Sequence, residues 1–246
     1  MIFFKKDPFG KNLFIKKWLI KIIGRITHRR FRGVNHLIID GSKIINTLPK
    51  ENVLFISNHQ TYFADVMAML HVFNASINGR HNSLKDISYL RKPKLNIYFL
   101  AAKETMKSGI IPKILSYTGS IPVSRTWRDN EKNILRPVDN NDIINIKKAL
   151  NNGWLITFPQ GTTKIGMPIR KGSAYIIKEN KPIVVPIVID GFRETYDKTG
   201  LKINRIGMRN TIKIKKPLIF NYKEDSIDYI LEKISIAIEQ PSNSFK

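Results

Sequence analysis

The sequence LFISNHQTYFAD, residues 54–65, contains the features that predict both the fold and the functional site of this protein. Its first residues are apolar and predict a short buried strand, and its last residues open an apolar helix that continues to about residue 74. His59 lies where the strand ends, and Asp65 is the only carboxylate between Glu51 and Asp86. A histidine there can act as a general base near neutral pH if a carboxylate supports its charged form. The alternative is a histidine that only makes structural hydrogen bonds beside the helix.

A second stretch has the same design as the first. WLITFPQGTTK, residues 154–164, is an apolar strand followed by a proline, a glycine turn, two hydroxyls and a lysine. Two shorter blocks accompany it, GSIPVSR at residues 119–125 and IVVPIVI at residues 183–189. Ligands of open α/β sheets bind outside the carboxyl ends of the strands, so we expect the residues that follow these strands to assemble one site.

Together, the four blocks resemble the signatures of the glycerolipid acyltransferases of the lysophosphatidate acyltransferase family. Those signatures are Asn-His-x4-Asp, Gly-x-Ile-x-x-x-Arg, Phe-Pro-Glu-Gly-Thr-Arg and Val-Pro-x-x-Ile. The resemblance covers about residues 34 to 192, which is most of the chain. The chain departs from the family pattern because five residues rather than four separate His59 from Asp65. It departs again at Gln160, where the family has Glu, and at Thr163-Lys164 after the Gly-Thr pair.

The resemblance implies a reaction without a covalent enzyme intermediate. His59 removes the proton from a lipid hydroxyl, which attacks the carbonyl of an acyl thioester, and Asp65 supports the imidazolium. No cofactor and no metal are implied, and the co-substrate is an acyl-CoA or an acyl-acyl carrier protein. Arg125 and Lys164 would hold the acceptor's phosphate, and backbone N–H groups around Gly161 would stabilise that phosphate or the oxyanion. The complete set of substrate-binding residues that we predict is Asn58, Arg125, Gln160, Gly161, Thr162 and Lys164.

The implied product is phosphatidic acid, formed by transfer of a fatty acyl group to 1-acyl-sn-glycerol-3-phosphate. Other acceptors remain open within the same family, namely glycerol 3-phosphate, a lyso-aminolipid or a diacylglycerol. Gln160 keeps these alternatives open because it changes a residue of the family's third signature.

The composition restricts the class of protein. A chain of 246 residues accommodates one α/β domain with a terminal appendage. The net charge of +23 indicates an anionic partner, which could be nucleic acid, an acidic membrane surface or an acidic carrier. Nucleic acid is the weaker alternative because no recognition motif is present and the cations are dispersed. The absence of cysteine excludes disulfides and thiolate catalysis, and the five histidines lack a zinc-binding spacing.

Residues 11–28 form the clearest amphipathic helix of the sequence. Such a helix is typical of a protein that lies on an anionic membrane surface, although packing on the domain is the alternative. No apolar run is long enough to span a membrane, so we expect a peripheral, monotopic protein on the cytoplasmic face. The predicted organisation is a membrane-associating helix in residues 1–30 and an acyltransferase domain in residues 31–246. One side of the helix carries Lys17, Lys21, Arg25 and His28, and the other carries Ile15, Leu19, Ile22, Ile23 and Ile26, with Phe14 and Trp18 at the border.

Strand and helix patterns alternate along the rest of the chain. This alternation predicts a single α/β domain with a mostly parallel sheet and helices on both faces. Long polar segments at 78–96, 126–139 and 190–207 are predicted to be irregular. The other predicted strands are 33–41 at a sheet edge, 97–102, 121–123, 183–189 and 211–220, and the other predicted helices are 109–117, 139–152, 172–179 and 226–239.

Overall fold

The computed structural model describes residues 5–107, 109–124 and 139–240. The strands are β1 His36–Asp40, β2 Val53–Ser57, β3 Ile97–Ala102, β4 Ser120–Val123, β5 Trp154–Thr157, β6 Ile183–Asp190 and β7 Arg209–Ile214. The helices are α1 Leu13–Arg29, α2 Ala64–Ile77, α3 Lys103–Lys107, α4 Ile110–Tyr117, α5 Asn140–Leu150, α6 Lys171–Asn180, α7 Phe192–Thr195 and α8 Ile227–Ala237.

In the described part of the chain, the strands form one sheet with the order β1-β7-β6-β2-β5-β3-β4. The five strands from β2 to β6 are parallel to one another, whereas β7 is antiparallel to β6. The predicted single-domain α/β fold with a mostly parallel sheet is thereby confirmed, and β1 lies at an edge as predicted. β7 ends at Ile214 rather than at residue 220, and after Pro217, which has no N–H to donate, Leu218 forms only an isolated bridge with Val184 of β6.

The sheet is covered on both faces, as its apolar strands predict. Phe55 on β2 points into a core shared with α1 and α2, and its neighbour Leu54 points into a second core shared with α5, α6 and α8. Both side chains are fully buried. Burial of each side chain of this size contributes about 1.5–3 kcal/mol to the stability of the fold. The two cores therefore fix which helices lie on which face of the sheet.

Helix α1 packs on the domain through a face that the sequence did not indicate. Its buried residues are Lys16, Ile20, Gly24 and Thr27. The sequence predicted that His28 belongs to the cationic side of this helix. That prediction is wrong, because Nε2 of His28 donates a hydrogen bond to the carbonyl of Leu84 at 2.8 Å. The predicted apolar side is largely exposed, with side chains that are 48–64% accessible at Ile15, Trp18, Ile22 and Ile26.

Lys16 is an unexpected charge inside the protein. It is fully buried, its Nζ lies 3.1 Å from Asp7 Oδ2, and it lies 4.7 Å above the ring of Tyr98. Burial lowers the pKa of Lys16, while the adjacent Asp7 carboxylate opposes that shift. The pair attaches the residues before α1 to β3.

Five short elements of the described residues were not predicted: α3, α7, a π-helical turn at Arg30–Val34 and 3₁₀ turns at Ser42–Thr47 and Ile87–Arg91. Helices of four to six residues carry too little periodicity to be recognised in a sequence. The predicted surface loop 126–139 lies outside the described residues except for Asp139. That residue caps α5 as predicted, since its side chain accepts a hydrogen bond from Asn141 N.

Candidate active site

His59 lies directly after β2, at the carboxyl edge of the parallel strands. Its Nδ1 lies 2.9 Å from Asp65 Oδ2, and its side chain is 12% exposed. The imidazole stacks on the ring of Phe158, with centroids 3.8 Å apart and planes 18° from parallel. The carboxylate and the aromatic ring therefore hold the imidazole in one orientation at the wall of an open groove.

Asp65 is fully buried in the first turn of α2, where its carboxylate accepts several hydrogen bonds. Oδ2 accepts from the backbone N–H of Gln60 at 2.7 Å, and Oδ1 accepts from the hydroxyl of Thr61 at 2.7 Å. The backbone N–H of Thr61 donates to the same carboxylate at 3.1 Å. Because an ionised carboxylate only accepts hydrogen bonds, His59 Nδ1 carries the hydrogen of this contact, and Nε2 is left as the ring nitrogen that can accept a proton.

The irregular segment 190–207 supports the turn between His59 and α2. The N–H of Tyr62 donates to Lys198 O at 3.1 Å, and the N–H of Phe63 donates to Thr199 O at 2.9 Å. Gly200 of this segment lies against the start of α2, where a Cβ on residue 200 would be 2.5 Å from Ala64 N. Its φ is +77°. This segment pairs the backbone of the turn and so accommodates the additional residue between the histidine and the aspartate.

Gln60 connects the same turn to the end of β6, a role that no sequence motif indicated. Its Nε2 donates to Ile189 O at 3.1 Å. Its Oε1 accepts from the N–H groups of Phe192 and Arg193, at 2.8 and 3.1 Å. The side chain therefore satisfies N–H groups at the start of α7 that lack a helical partner.

Arg193 links two segments of the site by hydrogen bonds. Its Nη2 donates to Thr163 O at 2.7 Å and to His59 O at 3.3 Å. These partners are distant from residue 193 in the sequence, so no local pattern could have identified the contact. The guanidinium joins the backbone that carries the histidine to the loop after β5.

Asn58 does not take the substrate-binding position predicted from the sequence. Its Nδ2 donates to Ile189 O at 2.7 Å, and its Oδ1 accepts from Ile189 N at 2.8 Å. Both ends of the amide are thus bound to one residue of β6. Asn58 fixes the end of β2 against β6 and holds the backbone that precedes His59.

Gln160 also differs from its predicted role. The side chain is buried, and its Nε2 donates to Met167 O at 2.9 Å and to Gln240 Oε1 at 2.6 Å. It therefore ties the loop after β5 to the end of α8, away from the groove wall. The backbone carbonyl of Gln160 accepts a further hydrogen bond, from Arg170 Nε at 3.1 Å.

Gly161 and Thr162 line the groove beside His59, as predicted. Gly161 adopts a φ of +62°, which a side chain would disfavour, and its N–H donates to Phe158 O at 2.9 Å. That N–H group belongs to the turn itself. The Gly161 N–H is thus occupied, and an anion contact by other backbone N–H groups around Gly161 stays a prediction.

The cations that line the groove differ from those predicted. Arg125 lies outside the described residues. Lys164 is exposed and lies off the groove wall, whereas Arg170 and Lys171 line the groove together with His59. The sequence Ile-Arg-Lys-Gly at residues 169–172 could have indicated them, since it places two cations at the start of a predicted helix beside the glycine turn.

The groove crosses the edge of the sheet and has a volume of about 1680 Å³. His59 lies on its wall. On the α2 side it is lined by Tyr62 and by Met106 of α3, and on the other side by Tyr175 of α6 and Tyr229 of α8. Ligands can therefore approach the imidazole from both faces of the sheet.

The sequence matches the family model described as Acyltransferase over residues 38–190, which is more than half of the chain. This chain belongs to the Acyltransferase family. Its structure is similar to the crystal structure of the 1-acyl-sn-glycerophosphate (LPA) acyltransferase PlsC from Thermotoga maritima, with a TM-score of 0.56 and 20% sequence identity. The similarity covers 91% of this chain and 80% of the PlsC chain, and at this identity it concerns the fold. Comparison with curated protein sequences gives no match.

Two further observations concern the described residues of this acyltransferase. No cluster of three or more His, Asp or Glu side chains is arranged there to bind a metal ion. Within the same residues, no helix has the length and apolar character needed to cross a membrane.

Proposed function

We propose that this acyltransferase transfers a fatty acyl group from a thioester to the hydroxyl of a lysophospholipid that carries a phosphate, with 1-acyl-sn-glycerol-3-phosphate as the first candidate. The observation that carries the proposal is the pair of His59 and Asp65 at the wall of the groove. Nδ1 is bound to a buried carboxylate, so Nε2 is left to act on a substrate hydroxyl.

In the proposed reaction, Nε2 of His59 takes the hydroxyl proton as the hydroxyl oxygen attacks the thioester carbonyl. Asp65 stabilises the imidazolium that forms. When the tetrahedral intermediate collapses, the C–S bond breaks and the thiolate takes the proton from the imidazolium. The products are an ester and a thiol, and the histidine is neutral again.

The case for a phosphate on the acceptor is based on Arg170. It lines the same groove as His59, and the hydrogen bond from its Nε to the Gln160 carbonyl orients the guanidinium. Arginine is suited to bidentate phosphate recognition, whereas lysine acts as a point charge. Arg125 remains a predicted phosphate ligand, and Lys164 is the weaker candidate because of its position off the groove.

A membrane location belongs to the same proposal. The exposed apolar stripe of α1 contains Trp18, Ile22 and Ile26, and lysines at 17 and 21 lie beside it. This combination suits a helix whose apolar face enters the acyl boundary of an anionic bilayer while its cations contact headgroups.

Helix α4 extends this apolar surface toward the active site. It packs beside α1, and Ile110 and Ile111 are exposed. Both isoleucines line a cavity of about 970 Å³ that also touches Tyr62, which in turn lines the groove of His59. An acceptor lipid could therefore pass from the membrane along α4 to the imidazole.

The test is an acyl-transfer assay with the purified protein on anionic vesicles. Acyl-CoA and acyl-acyl carrier protein are supplied with each of four acceptors: 1-acyl-sn-glycerol-3-phosphate, glycerol 3-phosphate, a lyso-aminolipid and a diacylglycerol. We expect mass spectrometry to detect phosphatidic acid as the main product, and far less of it with His59→Ala. Equal acylation of a neutral acceptor would refute the phosphate assignment and leave acyl transfer in place.

A further inference from the structure

The groove of His59 has an arm on the face of the sheet opposite to the apolar surface of α1 and α4. α6 and α8 form the walls of this arm and belong to the second core, whereas α1 and the buried Leu115 of α4 border the first. α6 and α8 also pack directly against each other. The arm therefore opens away from the surface that we assign to the membrane.

The chemistry of this arm differs from that of the α4 side. Tyr175 and Tyr229 line its two walls, and both are about half exposed. Ser235 also lines it, is 1% exposed, and has a hydroxyl without a hydrogen-bond partner among the described residues. A buried hydroxyl without a partner is costly, so a ligand in this arm that bonds to it gains affinity.

We infer that the arm between α6 and α8 binds the phosphopantetheine chain of the acyl thioester donor; this inference rests on the proposed acyl transfer. An acyl-transfer reaction requires two substrates at His59 at once. The lipid acceptor reaches it from the membrane side, and the donor is attached to a water-soluble carrier. The two approach from opposite faces of the sheet and meet at the imidazole.

The pantetheine chain is long and uncharged, and it carries amide groups and a hydroxyl. Hydroxyl-bearing walls with apolar neighbours such as Ile176 and Ile236 match that character. Asp228 and Glu232 on the α8 wall would repel a phosphomonoester, which argues against the acceptor's headgroup in this arm. Lys171 lies on the α6 wall and is exposed, and its 3.7 Å contact with Asp228 is a weak surface pair, so its charge is available for the phosphodiester of the donor.

Gly172 offers a direct test because it lines the arm and a Cβ there would meet no atom within 4 Å. Gly172→Trp would place an indole at the arm, starting from a Cβ in open space on the exposed surface of α6. Glu179→Trp is the matched control, because it puts the same side chain on the exposed far end of α6. Ser235→Ala is a second variant that removes only the unpartnered hydroxyl.

The kinetic assay compares three donors on anionic vesicles with 1-acyl-sn-glycerol-3-phosphate as acceptor: acyl-CoA, acyl-acyl carrier protein and an acyl N-acetylcysteamine thioester, which lacks most of the pantetheine chain. We expect Gly172→Trp to raise the KM for the CoA or carrier-protein donor by about tenfold. The KM for the acceptor and the rate with the short thioester should stay unchanged, and Glu179→Trp should behave as wild type. Ser235→Ala should raise the same donor KM to a smaller extent. A response to only one full-length donor identifies the carrier and supports the inference.

A raised acceptor KM with an unchanged donor KM would overturn the inference and leave acyl transfer intact. If the wild-type protein transfers no acyl group, the proposed function fails, and equilibrium binding of S-hexadecyl-CoA and S-hexadecyl-carrier protein decides the inference. Weaker binding to Gly172→Trp than to Glu179→Trp would support it. Equal binding by the two variants, or no binding by the wild type, would overturn it.

Discussion

The imidazole of His59 contacts the carboxylate of Asp65 at 2.9 Å although five residues, rather than the family's four, separate them. The turn before α2 contains the additional residue, and there the carbonyls of Lys198 and Thr199 accept hydrogen bonds from the N–H groups of Tyr62 and Phe63. The pairing of base and carboxylate thus depends on a distant segment as well as on the local spacing.

Removing either member of this pair should reduce turnover. We expect His59→Ala to lower kcat roughly 100- to 10,000-fold, since a positioned base contributes that much, and Asp65→Asn to lose a large part of the same factor. Adding Ala64→Asp to Asp65→Asn should not restore activity, because Ala64 is fully buried and Thr61 and Gln60 donate to the carboxylate at 65. Steady-state kinetics and circular dichroism of each variant check this. Near-normal turnover of Asp65→Asn would refute the assigned role.

Gly200 should be essential for the turn that carries His59. Gly200→Ala forces a Cβ to within 2.5 Å of the Ala64 backbone nitrogen, whereas Gly207→Ala meets nothing within 4 Å at a similar positive φ. Both alanine variants lose about 1–2 kcal/mol of stability from the left-handed backbone conformation. Any further loss of stability in Gly200→Ala therefore measures the clash. We expect Gly200→Ala to unfold at lower denaturant concentration than Gly207→Ala and to lose activity. Equal stability of the two variants would contradict the supporting role of the segment.

Arg170 should govern affinity for the acceptor. We expect Arg170→Ala to raise the KM for 1-acyl-sn-glycerol-3-phosphate about tenfold or more while the KM for the donor is unchanged, because only the acceptor's headgroup meets the guanidinium. Lys164→Ala is the control and should have a smaller effect, since Lys164 lies off the groove wall. A larger effect from Lys164→Ala would restore the assignment made from the sequence.

The apolar stripe of α1 should mediate vesicle binding. Ile22→Glu with Ile26→Glu should release the protein from anionic vesicles in a sedimentation assay, and so should Glu at Lys17, Lys21 and Arg25. Each cation near such a surface contributes about 1 kcal/mol, and binding should weaken as salt rises. Ile206→Glu, at another exposed isoleucine, is the control. Unchanged binding of both α1 variants would place the membrane contact elsewhere.

His71 should make the protein sensitive to mild acid. It is buried between α1 and α2, where Nε2 meets Thr27 Oγ1 and Nδ1 meets Tyr89 Oη, each at 2.8 Å. Burial, helped by the nearby His28, lowers the pKa of His71 from 6.5 to about 3. The unfolded state therefore binds more protons between these values, so stability is complete above pH 6.5 and falls as the pH decreases.

Between pH 6.5 and pH 4 this loss amounts to about 3 kcal/mol as an upper estimate. Chemical denaturation at a series of pH values checks it, and His71→Gln, which does not titrate, should flatten the dependence. A slope identical to that of wild type would show that other groups control acid stability.

The sequence by itself determined the class of fold and singled out His59 and Asp65 as the candidate catalytic pair, whose side chains lie 2.9 Å apart in the structure. Apolar strands alternate with periodic helices, and that pattern is satisfied only by a mostly parallel sheet covered on both faces. The local order of residues around His59 and Gly161 also placed both turns at the carboxyl edge of that sheet. These properties depend on short-range periodicity, which a single sequence displays directly.

Tertiary structure decided which polar side chains reach the groove. Asn58 and Gln160 look like ligands in their motifs, yet both are bound to backbone groups of other segments. Arg170 lies outside the family signatures and Gln60 occupies one of their unspecified positions, yet Arg170 lines the groove and Gln60 holds the turn after His59. Tertiary packing also decided that the apolar stripe of α1 is exposed rather than buried against the domain. In each case the partner is distant in the sequence, and a local pattern specifies a residue's chemistry without specifying what it contacts.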